Sequence, residues 1–74
     1  MNKRDLNYFT NMFNHYQLDY AENTSNRFRY EFNYLVWRIK YNAKEAICGK
    51  ILPIHAREKI SDLVEIINKL KKLN

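Results

Sequence analysis

The chain has 74 residues, of which 46% are hydrophobic, and it carries a formal net charge of +5. Its length predicts one domain over residues 1–74, and its apolar content excludes a disordered tail. No stretch approaches the ~20 apolar residues of a membrane span, and the polar N-terminus lacks the apolar run of a signal peptide, so we expect a cytoplasmic protein without a membrane partner. The single glycine and single proline favour long helices over a small β-barrel or sandwich.

The first predicted element is a helix over about residues 3–20. Its apolar side chains recur every three or four residues, which is the period of one helix face. They are Leu6, Phe9, Phe13, Tyr16 and Tyr20, with Met12 beside them. Asn2 is suited to cap this helix, and Asp5 lies in the first turn, where the helix dipole favours a negative charge.

The second predicted helix covers about residues 25–48. A run of polar residues precedes it and predicts a break, because their side chains compete for backbone hydrogen bonds. Thr24 or Ser25 is the expected N-cap, while a capping box that begins at Asp19 offers an earlier start as an alternative. Gly49 is suited to the left-handed conformation that closes a helix.

This second helix is apolar on two opposite faces. One face is mainly aliphatic and consists of Phe28, Phe32, Leu35, Ile39, Ala43 and Ala46. The other face, which we call the aromatic stripe, consists of Tyr30, Tyr34, Trp37 and Tyr41. At about 100° per residue the two faces lie half a turn apart. The helix is therefore covered on both sides, or it keeps an aromatic face for a partner.

The third predicted helix runs over about residues 53–73, with Pro53 in a first turn that tolerates it. Its apolar face consists of Ala56, Ile60, Leu63, Ile67 and Leu70, widened by Val64. Glu65 and Lys69 form an i, i+4 pair in the favourable order. The three helices predict an all-α, up-down-up three-helix bundle. We expect the first helix to pack on the aromatic stripe and the third on the aliphatic face, which would bury both faces.

No arrangement of residues predicts catalysis or metal binding, so we expect a protein that is not an enzyme and has no cofactor. Cys48 is the only cysteine, and we expect a buried free thiol. Cys48 and His55 have no third group to orient them as a nucleophile and base. His15 and His55 lack a second ligand at metal-binding spacing. The carboxylates are scattered, and no glycine-rich phosphate loop is present.

Basic residues border the aromatic rings of the second helix. Cations beside aromatic rings suit an acidic macromolecule, because anionic groups bind the charge and the rings provide contact area. The candidate partner-binding residues are Arg29, Trp37, Arg38, Lys40, Tyr41 and Lys44. A weaker anion-binding site is predicted near the start of the third helix, from Lys50, Arg57 and Lys59.

Two functions of different class follow from these residues. The first is a small regulatory or inhibitory protein of the phage or mobile-element type, which binds a macromolecular partner stoichiometrically. Asn, Lys, Ile, Tyr and Phe make up 35 of the 74 residues, and their AT-rich codons are associated with such genes. The alternative is a nucleic-acid or nucleotide-binding protein that uses the same basic stripe. A homo-oligomer that covers the aromatic stripe is compatible with either function.

Overall fold

Three helices make up nearly all of the part of the chain that the structure describes. The computed structural model describes residues 1–15 and 26–73, without the side chains of residues 26–28 and 73. The helices are α1 (Lys3–His15), α2 (Asn26–Ile47) and α3 (Pro53–Leu73), and the described residues contain no strand. The predicted all-α, up-down-up bundle is confirmed. The predicted C-terminal end of the first helix, the N-caps Thr24 and Ser25 and the capping box at Asp19 lie outside the described residues.

The N-terminal cap of α1 is the one predicted from sequence. The backbone N–H of Asp5 donates to Oδ1 of Asn2 at 2.7 Å, and the N–H of Leu6 donates to the carbonyl of Asn2 at 3.1 Å. The Asn2 side chain thereby satisfies one of the amides that have no partner at a helix start.

Gly49 closes α2 as predicted. Its φ of 77° is the left-handed conformation that glycine adopts without strain. The N–H of Gly49 donates to the carbonyl of Ala46 at 3.1 Å, and the N–H of Lys50 donates to that of Glu45 at 2.8 Å. These two bonds form a Schellman motif. The next helix starts at Pro53, where the N–H of Ala56 donates to the carbonyl of Leu52 at 3.0 Å.

The core lies along one broad face of α2, which contacts both other helices. The buried apolar residues are Phe9, Leu35, Val36, Ile39, Ala43, Ala46, Ala56, Ile60, Leu63 and Ile67. This list confirms most of the predicted faces of α2 and α3. The predicted Phe32, Val64 and Leu70 are partly buried and pack against this core, and the side chain of Phe28 is not described. In α1, Tyr8 and Met12 pack against the core beside Phe9, whereas the predicted Leu6 and Phe13 are exposed.

The prediction that α1 packs on the aromatic stripe is wrong. Val36 lies about 100° from Leu35 around α2, and both are buried. The aliphatic face is therefore wide enough for both neighbours, so α1 and α3 pack on the same side of α2. At this junction Arg57 of α3 pairs with Asp5 of α1, with Nη2 and Oδ1 2.9 Å apart.

The prediction of a buried thiol is also wrong, because Cys48 is exposed. Cys48 follows the last residue of α2, and continuing the helical angle places it on the side of the aromatic stripe, away from the core. The predicted ion pair between Glu65 and Lys69 is present, with Nζ and Oε1 3.8 Å apart, and both side chains are well exposed. Its expected contribution is a few tenths of a kcal/mol.

Candidate interaction surface on the middle helix

Within the described part of the chain, all four rings of the aromatic stripe are exposed. The exposed fractions are 77% for Tyr30, 56% for Tyr34, 58% for Trp37 and 63% for Tyr41. The stripe lies opposite the buried face of α2 and spans about 16 Å along the helix axis, at 1.5 Å per residue. At about 200 Å² for each aromatic side chain, it presents roughly 500 Å². A contiguous exposed patch of this size commonly marks an interaction site on a monomer.

Cations lie against the rings of the stripe. The guanidinium of Arg38 donates from Nη1 to the hydroxyl oxygen of Tyr34 at 3.2 Å, and its Cζ lies 5.6 Å from the centroid of that ring. Nζ of Lys40 lies 5.9 Å from the ring of Trp37 and 5.3 Å from that of Phe13. Both cations are within the range of a cation–π contact, which is worth about 0.5–1 kcal/mol at an exposed site. These contacts hold positive charge next to the aromatic surface.

Tyr41 is neutral at physiological pH. A side-chain hydrogen bond to Glu45 raises the pKa of its hydroxyl above the ordinary value, and the negative charge of Glu45 acts in the same direction. The hydroxyl is the donor in this bond, because a carboxylate can only accept. Glu45 therefore lies beside the aromatic stripe.

A shallow depression of about 420 Å³ runs beside the stripe, between α2 and α3. It is lined by Tyr34, Trp37, Arg38, Tyr41, Asn42 and Lys59. Asn42 is buried at its floor and donates from Nδ2 to the carbonyl of Arg38 at 2.8 Å. Lys59 is the member contributed by α3, so the depression has basic residues on both of its helices.

The structure brings together most of the predicted partner-binding residues. Trp37, Arg38 and Tyr41 line the depression, and Lys40 lies over Trp37 on the far side of the stripe. Lys44 is exposed, with a helical angle beside that of Trp37. Arg29 is only partly exposed and is not among the residues that line the depression.

The predicted anion-binding site is not assembled. The guanidinium of Arg57 faces α1, where it pairs with Asp5 and lies 3.9 Å from the ring centroid of Tyr8. Lys59 lies at the depression on the other side of α3, and Lys50 is exposed in the connection between α2 and α3. The charge of Arg57 is thus used to join α1 to α3. Lys59 lies at the depression because α3 is aligned beside α2, and this alignment is a tertiary feature that the order of residues in α3 does not reveal.

Within residues 1–15 and 26–73, no group of three or more His, Cys, Asp or Glu side chains is placed to hold a metal ion. None of the helices in that part of the chain combines the length and apolar character needed to cross a membrane. No family model, curated protein or solved structure matches this chain. The chemistry of the aromatic stripe and its flanking cations is therefore what indicates a function.

Proposed function

We propose that this protein acts by stoichiometric binding of an acidic macromolecule, as a small regulatory or inhibitory protein of the kind that phages and other mobile elements encode. The aromatic stripe and its flanking cations form the binding surface. The observation that carries the proposal is the exposure of four aromatic side chains, each more than half exposed, on the face of α2 opposite the core. Tyrosine, tryptophan and arginine are the residues that most often dominate interface energies.

The backbone under this surface is preformed, which favours binding. The stripe lies on the helix that contacts both others, and the opposite face of this helix includes the fully buried Val36, Ile39 and Ala43. Binding therefore requires little ordering of the backbone, and ordering is one of the main costs of association. The proposed compartment is the cytoplasm, and one cysteine, which cannot form an internal disulfide, fits a reducing environment.

A protein partner is favoured over a nucleic acid by the positions of the cations. Single-stranded nucleic acid binds by stacking bases on open ring faces. Here Cζ of Arg38 lies 5.6 Å from the ring centroid of Tyr34, and Nζ of Lys40 lies 5.9 Å from that of Trp37, so a cation is near one face of each of these rings. The +5 charge keeps nucleic acid as the second candidate. Anisotropy of a labelled single-stranded oligonucleotide at two salt concentrations tests it: tight, salt-sensitive binding that Trp37→Ala abolishes would favour this candidate.

Affinity capture with matched baits tests the proposed function. The baits are the unaltered protein, the double variant Trp37→Ala/Tyr41→Ala, and Ile54→Ser as a control. Ile54 is 62% exposed, comparable with the stripe, but it lies at the start of α3. We expect a partner retained in fixed stoichiometry by the unaltered protein and Ile54→Ser and lost from the double variant. Equal capture by all three baits, with each shown to be folded by circular dichroism, would contradict the proposal.

A further inference from the structure

We infer that the element bound by the aromatic stripe is a single α-helix of the partner, with an apolar seam and acidic flanks. This inference rests on the proposed function and names the partner's contacting element. Three features support it: the spacing of the rings, the shape of the surface beside them, and the charges on its two sides.

The four rings repeat at intervals of four, three and four residues. This is the spacing of the apolar seam in a coiled coil, in which side chains of one helix insert between those of another. The spacing keeps the rings in one narrow row over about three turns. The surface that the row presents is therefore matched to a helix of about 11–14 residues lying alongside α2.

The depression between α2 and α3 provides space beside this row. Its volume of about 420 Å³ suits side chains that project from a docked helix. Rings on one side of a shallow groove, with a second helix bordering it, resemble the geometry in which amphipathic helices bind to grooves through residues spaced three and four apart. Ile66 of α3 is exposed and lies on the same face of that helix as Lys59, seven residues earlier, so it adds apolar surface on this side.

The charges on the two sides of the stripe determine which residues are favoured on the flanks of the bound helix. Lys40 and Lys44 lie on one side, and Arg38 and Lys59 lie on the other, where the single carboxylate of Glu45 is bonded to the hydroxyl of Tyr41. Glutamate and aspartate at the positions that flank the partner's seam would face these cations, which is how flanking charges choose partners in coiled coils. A second copy of this chain is disfavoured, because each copy brings the same excess of cations and a net charge of +5.

Two synthetic peptides of about 21 residues, or three heptads, test the inference. Both have a leucine seam; one has glutamate at the flanking positions, and the matched control has lysine there. We expect the glutamate peptide to shift the emission of Trp37 to the blue, to bind at least tenfold more tightly than the lysine peptide, and to weaken as salt is raised. Equal affinity for the two peptides, or no binding of the glutamate peptide, would overturn the inference.

Charge-reversal variants test whether the preference for the glutamate peptide depends on the cations beside the stripe. Lys44→Glu/Lys59→Glu should lose the preference for the glutamate peptide. Lys3→Glu/Lys72→Glu, which changes the net charge by the same amount at exposed positions away from the stripe, should keep it. Loss in both variants, or in neither, counts against the inference.

Two other occupants of the stripe, a second copy of the chain and a nucleic acid, would give different results. A dimer that persists in sedimentation with the glutamate peptide in excess would assign the stripe to a second copy. An oligonucleotide that displaces the glutamate peptide would assign it to nucleic acid, and either result overturns the inference. If a partner is captured through the stripe but the glutamate peptide does not bind, the inference of a helical partner element is wrong and the proposed function stands. Absence of stripe-dependent capture removes the proposed function itself.

Discussion

Replacing Phe9 with alanine should cost this protein a large part of its stability. Phe9 is fully buried and is the one buried residue that α1 contributes among its described positions. Its ring meets that of Tyr8 edge-on, with the centroids 5.1 Å apart. A buried phenylalanine replaced by alanine costs about 3–5 kcal/mol. At about 0.05–0.15 kcal/mol per residue, a domain of this length has roughly 4–11 kcal/mol in total.

Replacing Trp37 with alanine should cost about 1 kcal/mol or less, although tryptophan is the larger side chain. More than half of its surface is exposed. The variant loses the contact with Lys40, which is worth about 0.5–1 kcal/mol, together with some partial burial. Alanine returns about half a kcal/mol through its higher helix propensity. The two substitutions should therefore differ severalfold in their effect on unfolding.

Urea unfolding followed by far-ultraviolet circular dichroism measures both variants with one signal that does not depend on tryptophan. We expect a midpoint well below that of the unaltered protein for Phe9→Ala and a small shift for Trp37→Ala. A loss above about 2 kcal/mol for Trp37→Ala would mean that the stripe belongs to the core, and the reasoning on function would fail with it. A loss below about 1 kcal/mol for Phe9→Ala would refute the packing of α1 described above.

Three further predictions concern local features. Gly49→Ala should cost about 1–2 kcal/mol in thermal unfolding, because Gly49 has a φ of 77°. No atom lies within 4 Å of an added Cβ, so the cost comes from the backbone conformation and not from a clash. Gly49→Asn is the control and should cost less; if both variants are as stable as the parent, the left-handed conformation of Gly49 is contradicted. A double-mutant cycle with Asp5→Asn and Arg57→Met should give a coupling free energy of about 0.2–1 kcal/mol that falls in high salt, because the two side chains are 23% and 38% exposed. A coupling free energy that salt does not change would argue against an ion pair between these residues. Glu45→Ala, which removes both the hydrogen-bond acceptor and the charge, should lower the pKa of Tyr41 toward its ordinary value in a tyrosinate absorbance titration. Since the folded protein holds this proton more tightly than the unfolded chain, its stabilising effect is present at neutral pH and is lost as alkaline pH rises through the pKa of Tyr41; an unchanged titration in Glu45→Ala would exclude Glu45 as the cause.

The helix ends were predictable because their causes are local. Asn2 caps the N–H of a residue three positions away. At the end of α2, the N–H of Gly49 bonds to the residue three positions before it, and that of Lys50 bonds to the residue five positions before it. Pro53 starts α3 because its ring fixes φ at a helical value and it has no N–H to leave unpaired. Each of these hydrogen bonds joins residues that are at most five positions apart, so the sequence contains the information that determines it.

The position of α1 was not predictable in this way. Two opposite apolar faces on α2 are compatible with a helix on each face. The choice depends on whether the aliphatic face can accommodate two helices, which in turn depends on the buried Val36 and on the junction of Asp5 with Arg57. Residues that are 52 positions apart meet in that junction, and no periodicity within one helix shows such a contact.

The number of helices, the N-terminal cap of α1, the C-terminal cap of α2 and the apolar positions on each helix follow from the order of the residues, because helical period and capping are properties of neighbouring residues. Which of the two faces of α2 is covered depends on how the three helices pack together. With α1 and α3 packed on the same side, the rings of Tyr34, Trp37 and Tyr41 are exposed, and Lys59 lies beside them. The candidate binding surface exists because one wide aliphatic face accommodates both neighbouring helices.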